Sequence, residues 1–163
     1  VTGGAGNDGV HGGEGDDALA GGEGDDYVRG QEGDDALEGG AGNDTLIGDG
    51  GNDALLGGAG EDVFLYYSSA IGGADVIFDF ETGPGGDVLR LHNLLEDVAN
   101  PSDAGELATY LDFSNVGQTL TIDIDGVPGG DSLEINLVGY INFGSDEQII
   151  QDLLDGGNLE VTS

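Results

Sequence analysis

Aspartate recurs every nine residues in the first part of this sequence, each time two residues after a glycine. The pattern Gly-x-x-Gly-x-Asp-x-U-x, in which U is a large apolar residue, repeats seven times without a gap from Gly3 to Leu65. A carboxylate in a glycine-rich turn is suited to metal binding, because the turn also exposes backbone carbonyl oxygens. The repeated aspartates are Asp8, Asp17, Asp26, Asp35, Asp44, Asp53 and Asp62.

Each nonapeptide divides into a six-residue turn and a three-residue strand with one inward side chain at U. The apolar position is occupied by Val10, Leu19, Val28, Leu37, Leu46, Leu55 and Phe64. Strands this short are not stable alone, so each unit has to stack on its neighbours. The repeats therefore predict a mainly β solenoid.

The nonapeptide resembles the RTX repeat, which binds calcium. In that family two nonapeptides form one turn of a right-handed parallel β-roll, so the resemblance implies that turns two repeats apart lie above one another. Asp8, Asp26, Asp44 and Asp62 would then share one edge, and Asp17, Asp35 and Asp53 the other. Carboxylates about 5 Å apart repel by about 3 kcal/mol at an effective dielectric constant near 20. A bound cation would remove this repulsion.

The oxygen ligands on offer favour Ca²⁺ over Zn²⁺ and Mg²⁺. We expect five or more calcium ions, five of them between stacked repeats, with Asp26, Asp35 and Asp44 each serving two sites. The predicted carbonyl ligands are Gly4, Gly6, Gly13, Gly15, Gly22, Gly24, Gly33, Gly40, Gly42, Gly51, Gly58 and Gly60. Position five of the repeat, which includes Asp16, Asp25 and Asp34, is interpreted as outward-facing and not as a metal ligand.

After Leu65 the glycine rhythm stops, and we predict two domains: a β-roll over residues 1–65 and a β-rich cap with one short helix over 66–163. The predicted strands are Asp62–Tyr67, Asp75–Phe80, Val88–Leu91, Leu107–Phe113, Thr119–Ile124, Leu133–Val138 and Asn158–Val161. The loop from Asp125 to Asp131 suits a hairpin. Ser145 is predicted to cap a helix that ends at Gly156.

The cap carries a second resemblance. Gly60-Glu-Asp-Val-Phe-Leu through Asp87-Val-Leu-Arg-Leu resembles the segment after the roll in serralysin-type proteases. Residues from Leu91 to Val161 resemble the type I secretion target region of large bacterial RTX adhesins. This implies a type I exporter as partner and a location outside, or on the surface of, a Gram-negative bacterium. Because Pro84-Gly-Gly interrupts the serralysin-like pattern, we assign no calcium to Asp75, Asp79 or Asp87.

Composition excludes several other functions. With 34 acidic and 2 basic side chains the formal charge is −32, which disfavours nucleic acid and anionic membranes as partners. No apolar run is long enough to span a bilayer. There is no cysteine or lysine, and His11 and His92 lack metalloprotease spacing, so we predict that the chain is not an enzyme. We expect it to be monomeric, and Val1 and Thr2 match the end of an earlier repeat.

Three functional hypotheses remain. The first is a calcium-dependent folding and secretion module of an adhesin. The second is the same module attached to an exported protease, lipase or epimerase. The third is a calcium-dependent ligand-binding domain, for which outward threonines or clustered exposed aromatic residues are expected and neither is visible in the sequence.

Overall fold

The computed structural model describes residues 1–67, 73–93, 103–108, 111–116, 119–124, 133–138 and 145–162. Within these ranges the seven repeats and their continuation form strands β1 (Thr2–Ala5), β2 (Gly9–Glu14), β3 (Ala18–Glu23), β4 (Tyr27–Glu32), β5 (Ala36–Ala41), β6 (Thr45–Gly50), β7 (Ala54–Ala59) and β8 (Val63–Tyr67). They are followed by β9 (Ala74–Ile77), β10 (Val88–His92), α1 (Ala104–Leu107), β11 (Leu111–Val116), β12 (Thr119–Ile124), β13 (Glu134–Val138), α2 (Asp146–Gly156) and β14 (Leu159–Thr162).

Successive repeats alternate between two sheets. Across the described residues, sheet A has the order β1-β3-β5-β7-β9-β13-β12-β11, and sheet B has the order β14-β10-β8-β6-β4-β2. Leu19 pairs in parallel with Leu37, and Leu37 pairs with Leu55, so the register advances by two repeats per layer. This confirms the β-roll and its two-repeat turn.

The core lies between the two sheets. Every apolar repeat position faces inward, and none of these side chains is more than 3% exposed. Because neighbouring strands carry an apolar residue at the same register position, the side chains stack in continuous columns such as Leu19, Leu37 and Leu55. Strands β2 to β7 are six residues long and not three as the sequence predicts, because each continues into the first residues of the following turn, and they are stabilised by their neighbours above and below.

Both sheets continue past the domain boundary that the sequence predicts at residue 65. β9 pairs with β7 in sheet A, and β10 pairs with β8 in sheet B, both in parallel. Farther along, β13 joins β9 and β14 joins β10, again in parallel, while β11, β12 and β13 form an antiparallel meander. The cap therefore extends the sheets of the roll.

Two predicted strands need correction. Leu107 does not begin a strand, because Ala104–Leu107 forms α1 and β11 starts only at Leu111. Ala104 and Leu107 are three residues apart, which puts both buried side chains on one helical face against α2. β9 ends at Ile77 and not at Phe80. Two residues after Ile77, the Asp79 carboxylate accepts hydrogen bonds from the Gly57 and Gly58 N–H groups.

The predicted helix α2 is confirmed at both ends. The Ser145 hydroxyl accepts a hydrogen bond from the Gln148 N–H, and Gly157 closes the helix with φ of 76°. Its apolar face buries Ile149, Ile150 and Leu153. The predicted Asp125–Asp131 hairpin lies outside the described residues, and among those described no helix is long and apolar enough to cross a membrane.

Candidate metal centre

The repeat aspartates form two ladders, one along each edge of the roll. In each ladder the backbone N–H of one aspartate donates to Oδ1 of the aspartate one turn later, over 2.7 to 2.8 Å in the repeats. These contacts join the five stacked pairs that the sequence predicts: Asp8 with Asp26, Asp17 with Asp35, Asp26 with Asp44, Asp35 with Asp53, and Asp44 with Asp62.

The second carboxylate oxygen of most ladder residues is buried without a hydrogen-bond partner. This is the case for Oδ2 of Asp8, Asp26, Asp35, Asp44, Asp53 and Asp62. An ionised oxygen withdrawn from water needs a compensating charge or donor. The ladder therefore has the chemistry of a divalent-cation site, with one free carboxylate oxygen per layer.

The first glycine of each repeat makes room for that oxygen. A Cβ placed on Gly21 would overlap Asp26 Oδ2 and lie 2.7 Å from the Gly39 carbonyl oxygen. Gly39 stands in the same relation to Asp44 Oδ2 and to the Gly57 carbonyl, at 2.6 Å. A carboxylate oxygen and a first-position carbonyl oxygen thus both lie within 3 Å of one point, which makes the Gly39 and Gly57 carbonyls candidate ligands that were not predicted from the sequence.

The predicted carbonyl ligands sit at the second and fourth repeat positions, in the turns beside the ladders. All twelve have positive φ: Gly4, Gly6, Gly13, Gly15, Gly22, Gly24, Gly33, Gly40, Gly42, Gly51, Gly58 and Gly60. A Cβ at Gly40 would overlap the Gly22 carbonyl oxygen, so this carbonyl points into the space between successive turns. Gln31 and Asp49 adopt the same backbone at the second position, with φ of 89° and 70°.

Side chains alone do not make a site. Over the described residues no three histidine, aspartate or glutamate side chains converge on a common point. Two stacked aspartates therefore supply the charge, and backbone carbonyls must supply most of the ligands. An all-oxygen set in which carbonyls predominate fits Ca²⁺.

Burial disfavours the charged form of the ladder carboxyls. It raises the pKa of Asp35 and Asp44, and it raises the pKa of Asp53 and Asp62 to about 6. The backbone N–H bond lowers each pKa and neighbouring carboxylates raise it, but burial is the largest cause. At neutral pH the metal-free ladder is therefore held in an unfavourable ionised state.

A further ladder on each edge, which was not predicted from the sequence, runs along the fifth repeat position. Here the side chain accepts from the backbone one turn later: Asn7 Oδ1 from the Asp25 N–H at 3.0 Å, and Asp25 Oδ1 from the Asn43 N–H at 2.9 Å. These residues face solvent, as predicted, but they also link the turns. The sequence feature that indicates this ladder is the restriction of the fifth position to Asn or Asp in the first six repeats.

Both aspartate ladders extend into the cap. Asp75 Oδ1 accepts from the Asp53 N–H at 2.9 Å, and Asp87 Oδ1 accepts from the Asp62 N–H at 3.0 Å. Asp53 and Asp62 are therefore not the ends of their stacks. In the cap, other groups of the protein lie beside the carboxylates of these two residues. The Glu81 N–H donates to Asp87 Oδ2, and the Tyr66 hydroxyl lies beside the Asp75 carboxylate.

Comparison with known proteins identifies the repeats. The model of the RTX calcium-binding nonapeptide repeat, in four copies, matches residues 1–28 and again residues 29–64. No curated protein matches the chain. Among solved structures, the AlgE6R3 subunit of the Azotobacter vinelandii mannuronan C5-epimerase is similar, with 26% identity, a TM-score of 0.36, and coverage of 83% of this chain and 72% of that one.

A superposition at that TM-score does not define the fold, which rests on the strand register described above. The repeat model matches the first part of the chain, where all seven stacked aspartates of the nonapeptides lie. RTX repeats are typical of proteins secreted by Gram-negative bacteria. Residues 1–64 match the RTX calcium-binding nonapeptide repeat, and they fold as a β-roll.

Proposed function

We propose that this chain is the calcium-dependent folding and type I secretion module at the C-terminus of a large extracellular RTX adhesin. The observation that carries the calcium part is the column of buried, unpartnered Oδ2 atoms in the ladder. The secretion part is supported by the resemblance of the cap to type I secretion target regions.

The roll depends on the cation because its aspartates are stacked by the same register that forms its core. Without a cation the stacked carboxylates oppose folding, and with one they become ligands that only the folded state assembles. Extracellular modules bind Ca²⁺ with dissociation constants of about 10⁻⁴ to 10⁻³ M. At a tenfold excess each site adds about 1.4 kcal/mol, so five sites add about 7 kcal/mol, comparable with the stability of a whole domain.

We expect the chain to be largely unfolded in EGTA and β-rich in millimolar Ca²⁺. Circular dichroism with and without the chelator measures this change, and excess Mg²⁺ is the matched control for general charge screening. Identical spectra in EGTA and Ca²⁺ would rule out calcium-dependent folding.

The secretion part is tested by export. We expect a passenger fused to residues 1–163 to be exported by cells with a matching type I exporter, and a fusion that ends at Gly144 to be retained. The shorter fusion keeps every RTX repeat, so the comparison separates the signal from calcium-driven folding. Equal export of both fusions would place the signal elsewhere.

The parent protein is tested by its upstream sequence. Long repeats upstream would support an adhesin. A zinc-protease motif or a Gly-x-Ser-x-Gly motif would instead support an exported enzyme. Within this chain, the stacked carboxylates are better suited to hold a cation than to exchange protons, which favours a module without catalysis of its own.

The outer face of sheet B favours a second candidate, saccharide binding. The sequence has four basic or histidine residues: His11, Arg29, Arg90 and His92. Each is next to a buried, inward-facing residue of its strand, so each points outward from sheet B. Tyr27 lies 5.8 Å from the His11 ring and Tyr67 lies 5.5 Å from the His92 ring, measured between centroids. The fold thus gathers aromatic rings that are dispersed in sequence.

This face is close to neutral, because Arg29 pairs with Asp49 and Arg90 pairs with Glu160. Aromatic rings beside satisfied polar groups suit the apolar faces and hydroxyls of a neutral sugar better than an anion. Calorimetry of the calcium-loaded protein with neutral oligosaccharides tests this candidate. Tyr27→Ala should abolish binding. Phe78→Ala is the control and should leave binding unchanged, because the half-exposed Phe78 ring directly follows β9 of sheet A.

A further inference from the structure

The C-terminal segment, residues 145–162, docks onto the end of the roll. β14 adds to sheet B by pairing with β10, in the register Leu89 with Leu159 and Leu91 with Val161. α2 precedes it and packs on α1. A helix of eleven residues and a four-residue strand are both too short to persist alone in water, so the segment is ordered by this docking.

The buried side chain of Asn158 bonds this segment to the turn before β10. Asn158 is 2% exposed, and its Oδ1 accepts from the Gly83 N–H at 2.7 Å while its Nδ2 donates to the Asp87 carbonyl at 2.6 Å. Its backbone is also paired: the Leu89 N–H donates to the Asn158 carbonyl, and the Asn158 N–H donates to the Leu153 carbonyl, both at 2.8 Å. The strand, the helix end and the 83–87 turn thus meet at Asn158.

The same turn ends a calcium ladder. Asp87 accepts from the Asp62 N–H through Oδ1, and the Val88 N–H donates to the Asp62 carbonyl at 2.8 Å. Asp62 in turn has a buried Oδ2 without a partner, which makes it the last candidate calcium ligand of that ladder. An unbroken series of contacts runs from Asp62 through Asp87 to Asn158.

We propose that Asn158 is a latch that couples calcium binding in the roll to docking of the C-terminal segment. When the ladder binds calcium, Asp62 and Asp87 hold the 83–87 turn in the geometry that Asn158 requires, and the segment is buried. When the ladder is empty, the turn loses that support and the segment is released as an unfolded peptide. The consequence for export rests on the proposed function: the exporter can recognise this segment before calcium binds, and the segment is buried afterwards.

Hydrogen exchange of residues 145–162 tests the coupling. The wild-type segment should be protected in saturating Ca²⁺ and unprotected in EGTA. In Asn158→Ala the segment should exchange about five- to hundredfold faster in Ca²⁺, because the Gly83 N–H and Asp87 carbonyl lose their partner, while residues 1–60 stay protected. Protection of the wild-type segment in EGTA, or unchanged protection in the variant, would overturn the latch.

A second variant keeps the test valid should Asn158→Ala disturb the whole cap. Gly156→Ala adds a good helix former at the last position of α2, yet its Cβ would overlap Asn158 Oδ1. We expect Gly156→Ala to release the segment although the substitution does not lower the helix propensity of α2. The matched control is Gln151→Ala, which removes only a surface bond to Asp155 and should leave protection unchanged. Release in the control equal to that in Gly156→Ala would contradict the proposal.

Export separates the latch from the proposed function. If exchange behaves as expected but residues 145–162 direct no export, the latch stands and the secretion function fails. If export depends on the segment but exchange is unaffected by Asn158, the secretion function stands and the latch fails.

Discussion

At the scale of single residues, an aspartate's importance depends on how many neighbours it has in its ladder. Asp35 accepts from the Asp17 N–H and donates its own N–H to Asp53, whereas Asp8 begins its ladder among the described residues. We expect Asp35→Ala to remove two calcium ions and about 3 kcal/mol of stability at tenfold excess calcium, and Asp8→Ala to remove one ion and about half that energy.

Calorimetry gives the ion number of each variant, and thermal unfolding in calcium gives its stability. Asp35→Asn is the matched control, because it keeps the hydrogen bond from Asp17 and removes the charge. Equal losses in Asp35→Ala and Asp8→Ala would argue against ligands shared between turns.

The sixth repeat position was predictable because it never varies and because only one chemistry explains buried carboxylates at a fixed period. The first-position carbonyls and the fifth-position ladder were not. A carbonyl has no side chain by which the sequence can mark it, and the contact of Asp25 with Asn43 appears only after the register is known. Asp75 and Asp87 were missed as ladder residues for a related reason: they lie 22 and 25 residues after their partners and not 18.

At the scale of strands and turns, the unit that matters is the eighteen-residue turn. Deleting Gly21 through Glu38 removes one whole turn and joins Ala20 to Gly39, which preserves the register of both sheets. We expect this variant to fold in calcium with three of the five intra-roll sites, because Asp8 then stacks on Asp44 and Asp17 on Asp53. The Arg29–Asp49 pair is lost, but a surface ion pair contributes only about 0 to 1 kcal/mol.

Deleting Gly21 through Leu37 is the control, because it removes one residue fewer. A slip of one residue turns the inward side chains of a strand to the opposite face. Calcium titration monitored by circular dichroism should show cooperative folding for the eighteen-residue deletion and impaired folding for the control. Similar titrations for both variants would contradict a two-repeat turn.

Elements were predicted well where the local pattern was strong. The seven strands of the repeats and the capped helix α2 follow from signals within a few residues. The error at Leu107 arose because Ala104 and Leu107 form too short a pattern to distinguish a helical turn from a strand. The extension of both sheets into the cap was not predictable, because the pairing of β10 with β14 joins residues about 70 positions apart.

At the scale of the whole molecule, 34 acidic side chains make folding a balance between protons, calcium and repulsion. Burial raises the pKa of Asp53 and Asp62 to about 6 and that of Asp75 to about 7, from an ordinary value of 3.8. A carboxyl whose pKa is higher in the folded state favours that state when protonated. This contribution is complete below about pH 3.8 and is lost as pH rises through about 6 to 7.

We therefore expect opposite pH dependences with and without calcium. Calcium-free protein should gain β-structure when the pH falls from 7.5 to 5, since the buried carboxyls take up protons. Calcium affinity should fall over the same interval, since protons and calcium compete for the same oxygens. Circular dichroism of desalted, calcium-free protein at the two pH values measures the first effect, and calcium titration at each pH measures the second.

Salt at 1 M and pH 7.5 is the control, because it shortens the range of repulsion between surface charges to about 3 Å without protonating buried groups. A calcium-free protein that stays equally unfolded at pH 5, or that folds as fully in salt as in acid, would show that the ladder carboxyls are not what keeps the roll open.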